Sequence, residues 1–221
     1  MKLFAEALTK FTCGLLLVGL LIFLPAGTFS YTYGWLFIGL LFVPMLIAGL
    51  VMLYKSPEFL KKRLDGKEKQ GTQKGVVAVS GLMFIVGFVV AGLDFRFGWS
   101  NMPAWVVITA SALFLVAYAL YAEVMRENAY LSRTIKVEQG QTVVDTGLYG
   151  IVRHPMYAVT ILLFLMIPLV MGSWYALIAF AFYPAVIIIR LTDEEDLLTK
   201  ELPGYAEYKQ KVKYRIIPFI W

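Results

Sequence analysis

The stretch PMYAVTILLFLMIPLVMGSWYALIAFAFYPAVIIIR, residues 155–190, decides the fold. It is apolar almost throughout and is interrupted only at MGS, 171–173. The two runs that result, 156–172 and 174–190, each hold about 17 residues, the short end of what a helix needs to cross a bilayer. The stretch therefore predicts an antiparallel helical pair, either two crossings or a shallower hairpin. In both cases its ends, Arg153-His154 and Arg190, return to one depth on one side.

Upstream, four longer apolar runs stand at 11–29, 33–54, 75–93 and 104–122. The mean hydropathy is +0.73. Only 16% of residues are charged, against about 25% in soluble domains. Placing six crossings puts the N-terminus, the 55–74 loop, the 123–155 loop and the C-terminal tail on one side. Every Lys and Arg except Arg96 falls there, a positive-inside pattern that predicts cytoplasmic N- and C-termini. The expected fold is an all-α integral membrane protein of about six transmembrane helices, the last two a tight hairpin. It divides into a four-helix region, 1–122, and a polar-rich region, 123–221. The net charge of +5 is juxtamembrane charge that suits anionic lipid, so the bilayer and no nucleic acid is the expected partner. The segment MKLFAEALTKFTCGLLLVGLLIFLPAG is read as a retained first helix rather than a cleaved signal.

One cysteine, Cys13, and one histidine, His154, exclude a disulfide framework and a Cys/His metal cluster. No span carries a charge near its middle, which disfavours ion-coupled transport. Chemistry-bearing residues gather instead in EVMREN (123–128), GLYGIVRHPMY (147–157), RLTDEED (190–196) and LPGYAEYKQKVKYRIIPFIW (202–221). The segment KSPEFLKKRLDGKEKQGTQK (55–74) reads as a charged amphipathic linker lying on the membrane, with substrate gating as the alternative, and DFRFGWSNMP (94–103) as an interfacial loop.

Pro155 predicts the first residue of a helix, with His154 held extended before it. The free N–H groups of that helix start and Arg153 would then face one pocket, which suits an anionic or carbonyl-rich ligand. The alternative is a plain membrane boundary. Arg190 and Glu194 share a helix face, with Glu195 turned about 100° away. Four acids in DEED at the end of a helix oppose its dipole, an arrangement that a bound cationic group would offset. Tyr149, Tyr157, Tyr205 and Tyr208 add aromatic faces and hydroxyls.

In their order and spacing these residues resemble the isoprenylcysteine carboxyl methyltransferase family, with phospholipid methyltransferases as more distant relatives. The match runs through TGLYGIVRHPMY (146–157), RLTDEED (190–196), LPGYAEYKQKV (202–212) and IIP (216–218), with RENAYLSRTIKV (126–137) as a lead-in. The resemblance implies an S-adenosylmethionine-dependent methyltransferase whose catalytic region is 123–221 and whose acceptor is a lipophilic or prenylated carboxylate. It implies that Tyr149, His154, Pro155, Tyr157, Glu194 and Glu195 bind the cofactor. Arg153, Arg190 and Glu194 become the catalytic candidates, the arginines by fixing a carboxylate. Family members often carry a histidine where this chain has Gln141, which hydrogen-bonds but carries no charge. Methylation of a lipid amine or thiol, and a non-enzymatic membrane role, are the alternatives.

Overall fold

The structure is a computed structural model that describes residues 2–65, 71–131, 134–135 and 137–221. Part of the 55–74 linker (66–70) and part of the 126–137 lead-in (132, 133 and 136) lie outside the described residues. Among the described residues the chain is helical, without strands. Four long helices come first: α1 (Lys2–Ala26), α2 (Thr32–Lys55), α4 (Gly71–Phe97) and α5 (Ala104–Glu127), with the short α3 (Pro57–Leu64) between α2 and α4. A single 3-10 turn (Gly147–Gly150) leads into α6 (Pro155–Val170), followed by α7 (Trp174–Phe180), α8 (Tyr183–Glu201) and α9 (Tyr205–Lys211).

Five stretches are long and apolar enough to cross a bilayer: α1, α2, α4 from Gln73, α5, and 174–201 taken as one. The expected span 156–172 is the 16-residue α6, shorter than a helix that crosses unaided. The expected span 174–190 is broken after Phe180, and Pro184 restarts it inside the first turn of α8, where a missing N–H costs nothing. One expectation is corrected here. DEED does not close a helix, because α8 continues to Glu201, and the acids sit in its interior where the end-dipole penalty is small.

Helices α1 and α4 cross closely because Gly92 has no side chain: a Cβ there would lie 3.0 Å from that of Pro25 and overlap the Ile22 backbone. Small residues permit such approach where lipid offers no hydrophobic drive. Phe37, Phe88, Phe114 and Phe180 fill the centre of the bundle, and α6 lies along α5. Leu16, Leu20 and Leu24 of α1 stay exposed, as a lipid-facing stripe does.

At the end of the bundle away from α9, buried Asp94 ties two turns together. Its carboxylate accepts from the Ser100 N–H and hydroxyl, each at 2.6 Å, and from the Ser173 hydroxyl. Ser173 in turn caps α7 by accepting from Ala176 N–H at 3.0 Å, and Tyr31 donates to the Met171 carbonyl beside it. Asp94→Ala strands these donors, so it is expected to lower stability by about 2 kcal/mol. Thermal unfolding in detergent measures that loss, and an unchanged midpoint would refute the clasp.

Candidate functional site

The site begins where the chain turns into α6. Gly147 has φ +51°, and a Cβ there would overlap the carboxylate of Glu127, so only glycine fits. That carboxylate accepts from Leu148 N–H at 3.0 Å, which fixes the 3-10 turn against the end of α5. His154 takes φ −126° and ψ 62°, non-helical but short of the extended conformation expected, and Pro155 opens α6 as the sequence predicts.

The C-terminal tail lies alongside this entrance. Arg153 N–H donates to the Tyr214 carbonyl at 2.9 Å and His154 N–H to the Arg215 carbonyl at 2.8 Å. The Arg153 guanidinium is buried and donates to Glu195 Oε1 at 2.6 Å and to the carbonyls of Val212 and Lys213, both at 2.8 Å. Arg215 donates to the other Glu195 oxygen at 3.0 Å and lies over the Trp221 ring at 5.0 Å. His154 Nε2 stands 3.2 Å from Glu195 Oε1 and 3.5 Å from the Tyr205 hydroxyl. Glu195 is thus the hub that joins α8, the α6 entrance and the tail.

A second group lies on the next face of α8. Tyr157 stacks on His154, with ring centres 5.6 Å apart, and donates its hydroxyl proton to Glu194. Arg190 Nε donates to the same hydroxyl at 3.2 Å, and its Nη1 donates to Gln73 Oε1 at 3.1 Å. Gln73 Nε2 donates to Asp193 at 2.9 Å. The amide suits this place because it accepts from a cation on one side and donates to a carboxylate on the other. The two groups separate cleanly: one face of α8 holds the protein together, and the other holds Tyr157, Arg190 and Glu194.

A cavity of about 490 Å³ runs past both. Gln141, Tyr149, His154, Tyr205 and Tyr208 line one end, and Val76, Val77, Ser80, Gly81 and Phe84 of α4 line the other. Of the sequence-predicted site residues, Tyr149, Arg153, His154, Tyr157, Arg190 and Glu194 are on its wall, whereas Pro155 and Glu195 lie behind it. Burial pushes the phenols of Tyr149, Tyr205 and Tyr208 well above their ordinary value, with nearby carboxylates adding to the effect. They therefore remain neutral donors, and Tyr208 uses its proton on the Tyr149 carbonyl at 2.7 Å. Flat faces, a cavity-facing carboxylate and neutral hydroxyls suit a ligand with an aromatic base, hydroxyls and a positive charge.

Sequence reasoning missed Gln73 and the α4 wall; Asn128, which donates to the Tyr149 hydroxyl at 3.0 Å, lies in the EVMREN cluster but is not singled out within it. The α4 residues recur at i, i+3 and i+4 from Gln73, but so do lipid-facing residues in any span. Only the small pair Ser80-Gly81 marks that face.

Residues 104–200 match the sequence model described as the isoprenylcysteine carboxyl methyltransferase (ICMT) family. The chain is 25% identical to a Delta(14)-sterol reductase of Methylotuvimicrobium alcaliphilum over 136 residues, 55% of this chain and 32% of that protein. It is 32% identical to the Mus musculus Delta(14)-sterol reductase TM7SF2 over 91 residues, 40% of this chain and 22% of that protein. With the uncharacterized protein YpbQ of Bacillus subtilis it shares 30% identity over 96 residues, 43% of this chain and 57% of that protein. The matched segments thus span about a third, a fifth and somewhat more than half of these relatives.

Proposed function

We infer that this chain, whose residues 104–200 belong to the isoprenylcysteine carboxyl methyltransferase family, is a membrane S-adenosylmethionine-dependent methyltransferase acting on a lipophilic carboxylate. The observation that carries this reading is one cavity with Tyr157, Glu194 and Arg190 joined between its polar and apolar ends. The donor set fits the cofactor. Tyr149, Tyr205 and Tyr208 offer faces and hydroxyls to an adenosine, Gln141 an amide, and Glu194 a carboxylate to a cationic group. His154 and Tyr157 form the stacked floor between them.

When bound, S-adenosylmethionine supplies an electrophilic methyl group on a sulfonium, displaced in line with both electrons of the broken C–S bond leaving on sulfur. The protein's task is then positioning and exclusion of water. A carboxylate acceptor is already ionised at neutral pH, with a reference pKa of about 3.5, so no side chain has to take a proton. Arg190 orients that carboxylate. Glu194, held by the Tyr157 hydroxyl, would offer negative charge to the cofactor's cationic group. Arg153 is assigned to the floor of the site rather than to the acceptor, because its guanidinium is committed to Glu195 and two tail carbonyls. We assign the site to the cytoplasmic face, with both termini on that side and α6 pairing with α7–α8 as a sixth membrane segment.

The names of two relatives favour a second reading, reduction of a sterol double bond, which requires a hydride donor in the same cavity. Calorimetry on the purified protein separates the two. S-adenosylhomocysteine is expected to bind saturably and a reduced nicotinamide dinucleotide not to compete. Saturable binding of the dinucleotide alone would replace the methyltransferase reading with the reductase one.

A further inference from the structure

We propose that α4 is a chain-length gauge for the acceptor, and that the gauge admits a single apolar chain of about three isoprene units. The inference rests on the methyltransferase reading above and deepens it.

The cavity-lining residues of α4 fall on one helical stripe. Val76, Val77, Ser80, Gly81 and Phe84 follow Gln73 at steps of three and four, so they share one face. Gln73, at the foot of the stripe, holds Arg190 at 3.1 Å. An acceptor carboxylate at Arg190 therefore starts level with Gln73, and from there this apolar stripe leads its tail away from the polar end. Across the cleft stand Met156 and Thr160 of α6 and Tyr183 and Ile187 of α8.

The stripe ends in a wall. Phe84 packs edge-on against Phe164 and Phe180, with ring centres 4.7 and 5.5 Å away, and Phe164 meets Tyr183 at 4.5 Å. One turn beyond, the Phe180 ring presses on Gly87 so tightly that a Cβ there would overlap it. From Gln73 to Phe84 the helix rises about 16 Å. Three backbone bonds span about 3.6 Å when extended, so that distance takes about 13 single bonds. This is the main chain of about three isoprene units.

The floor midway is open. A Cβ built on Gly81 meets nothing within 4 Å, so a side chain there can enter the cleft without displacing the protein. Two substitutions thus act in opposite directions: Phe84→Ala opens the far wall, and Gly81→Leu moves the effective wall about one helical turn nearer.

The test measures binding of S-geranyl-, S-farnesyl- and S-geranylgeranyl-N-acetylcysteine by calorimetry without cofactor, then methyl transfer to each. The wild type is expected to prefer farnesyl over geranylgeranyl by about tenfold in both readouts, as methylenes beyond the Phe84 wall find no cleft to fill. Phe84→Ala is expected to erase that preference. Gly81→Leu is expected to weaken farnesyl about tenfold while retaining geranyl. Identical chain-length profiles in wild type and Gly81→Leu, with S-adenosylhomocysteine binding retained, would overturn the gauge. Failure of wild type to bind or methylate any of the three would overturn the gauge together with the prenylcysteine acceptor, and failure to bind S-adenosylhomocysteine as well would overturn the methyltransferase reading beneath it.

Discussion

Glu195→Ala is expected to lose S-adenosylhomocysteine binding and to lower the unfolding temperature in detergent, although Glu195 is not on the cavity wall. The carboxylate is nearly inaccessible and takes one oxygen to Arg153 at 2.6 Å and the other to Arg215 at 3.0 Å. Truncating it leaves the Arg153 cation buried without its counter-charge, a defect that costs about 3–5 kcal/mol. The damage spreads to the site because the same residues hold the α6 entrance to the tail. With Arg153 and Arg215 released, His154 loses its 3.2 Å contact and the tail loses its anchor on α8. The tail should then become accessible to limited proteolysis after Lys213. Glu195→Gln keeps the shape and one acceptor oxygen, and falls between. Wild-type affinity for S-adenosylhomocysteine in Glu195→Ala would show that the hub does not support the cofactor end.

Arg190→Ala has the opposite profile. Affinity for S-adenosylhomocysteine should stay within about threefold, while kcat/KM falls about 10²–10³-fold, as for the loss of one preorganised group on a reacting oxygen. Arg190 contacts Tyr157 and Gln73 and takes no part in the Glu195 hub, so that hub should survive. Arg190→Lys should recover only part of the rate, since an ammonium cannot present a planar fork to a carboxylate. Equal losses of turnover and cofactor affinity would place Arg190 at the cofactor end instead.

The helical class and the start of α6 were legible because they follow from local rules. Long apolar runs predict membrane helices, and Pro155 can stand at a helix start while disfavouring helix in the residue before it. RHPMY and RLTDEED do meet, through His154 with Glu195 and Tyr157 with Glu194, as expected from an antiparallel pair, although the second arm is broken after Phe180 rather than equal to the first. What could not be read was which partner each polar residue takes. Arg153 and Arg190 look equivalent in sequence and both reach the cavity wall, yet the tail, folding back through 212–215, engages the Arg153 guanidinium, whereas Arg190 meets Tyr157 and Gln73. Glu194 and Glu195 are adjacent, and only the rotation of α8 sends one to the cavity and the other behind it. DEED was misplaced because the sequence carries no stop before Leu202-Pro203-Gly204, so α8 runs on to Glu201. The α4 stripe was hidden for a different reason: in lipid, a residue that lines a cavity and one that faces acyl chains are both apolar.

The most direct measurement is transfer of a labelled methyl group from S-adenosylmethionine by the purified protein, offered a panel of lipophilic carboxylates, lipid amines and thiols. The account predicts label on the carboxylates that base releases as a methyl ester would. Base-stable label on lipid amine alone, or no transfer to any acceptor by protein that binds S-adenosylhomocysteine, would contradict it.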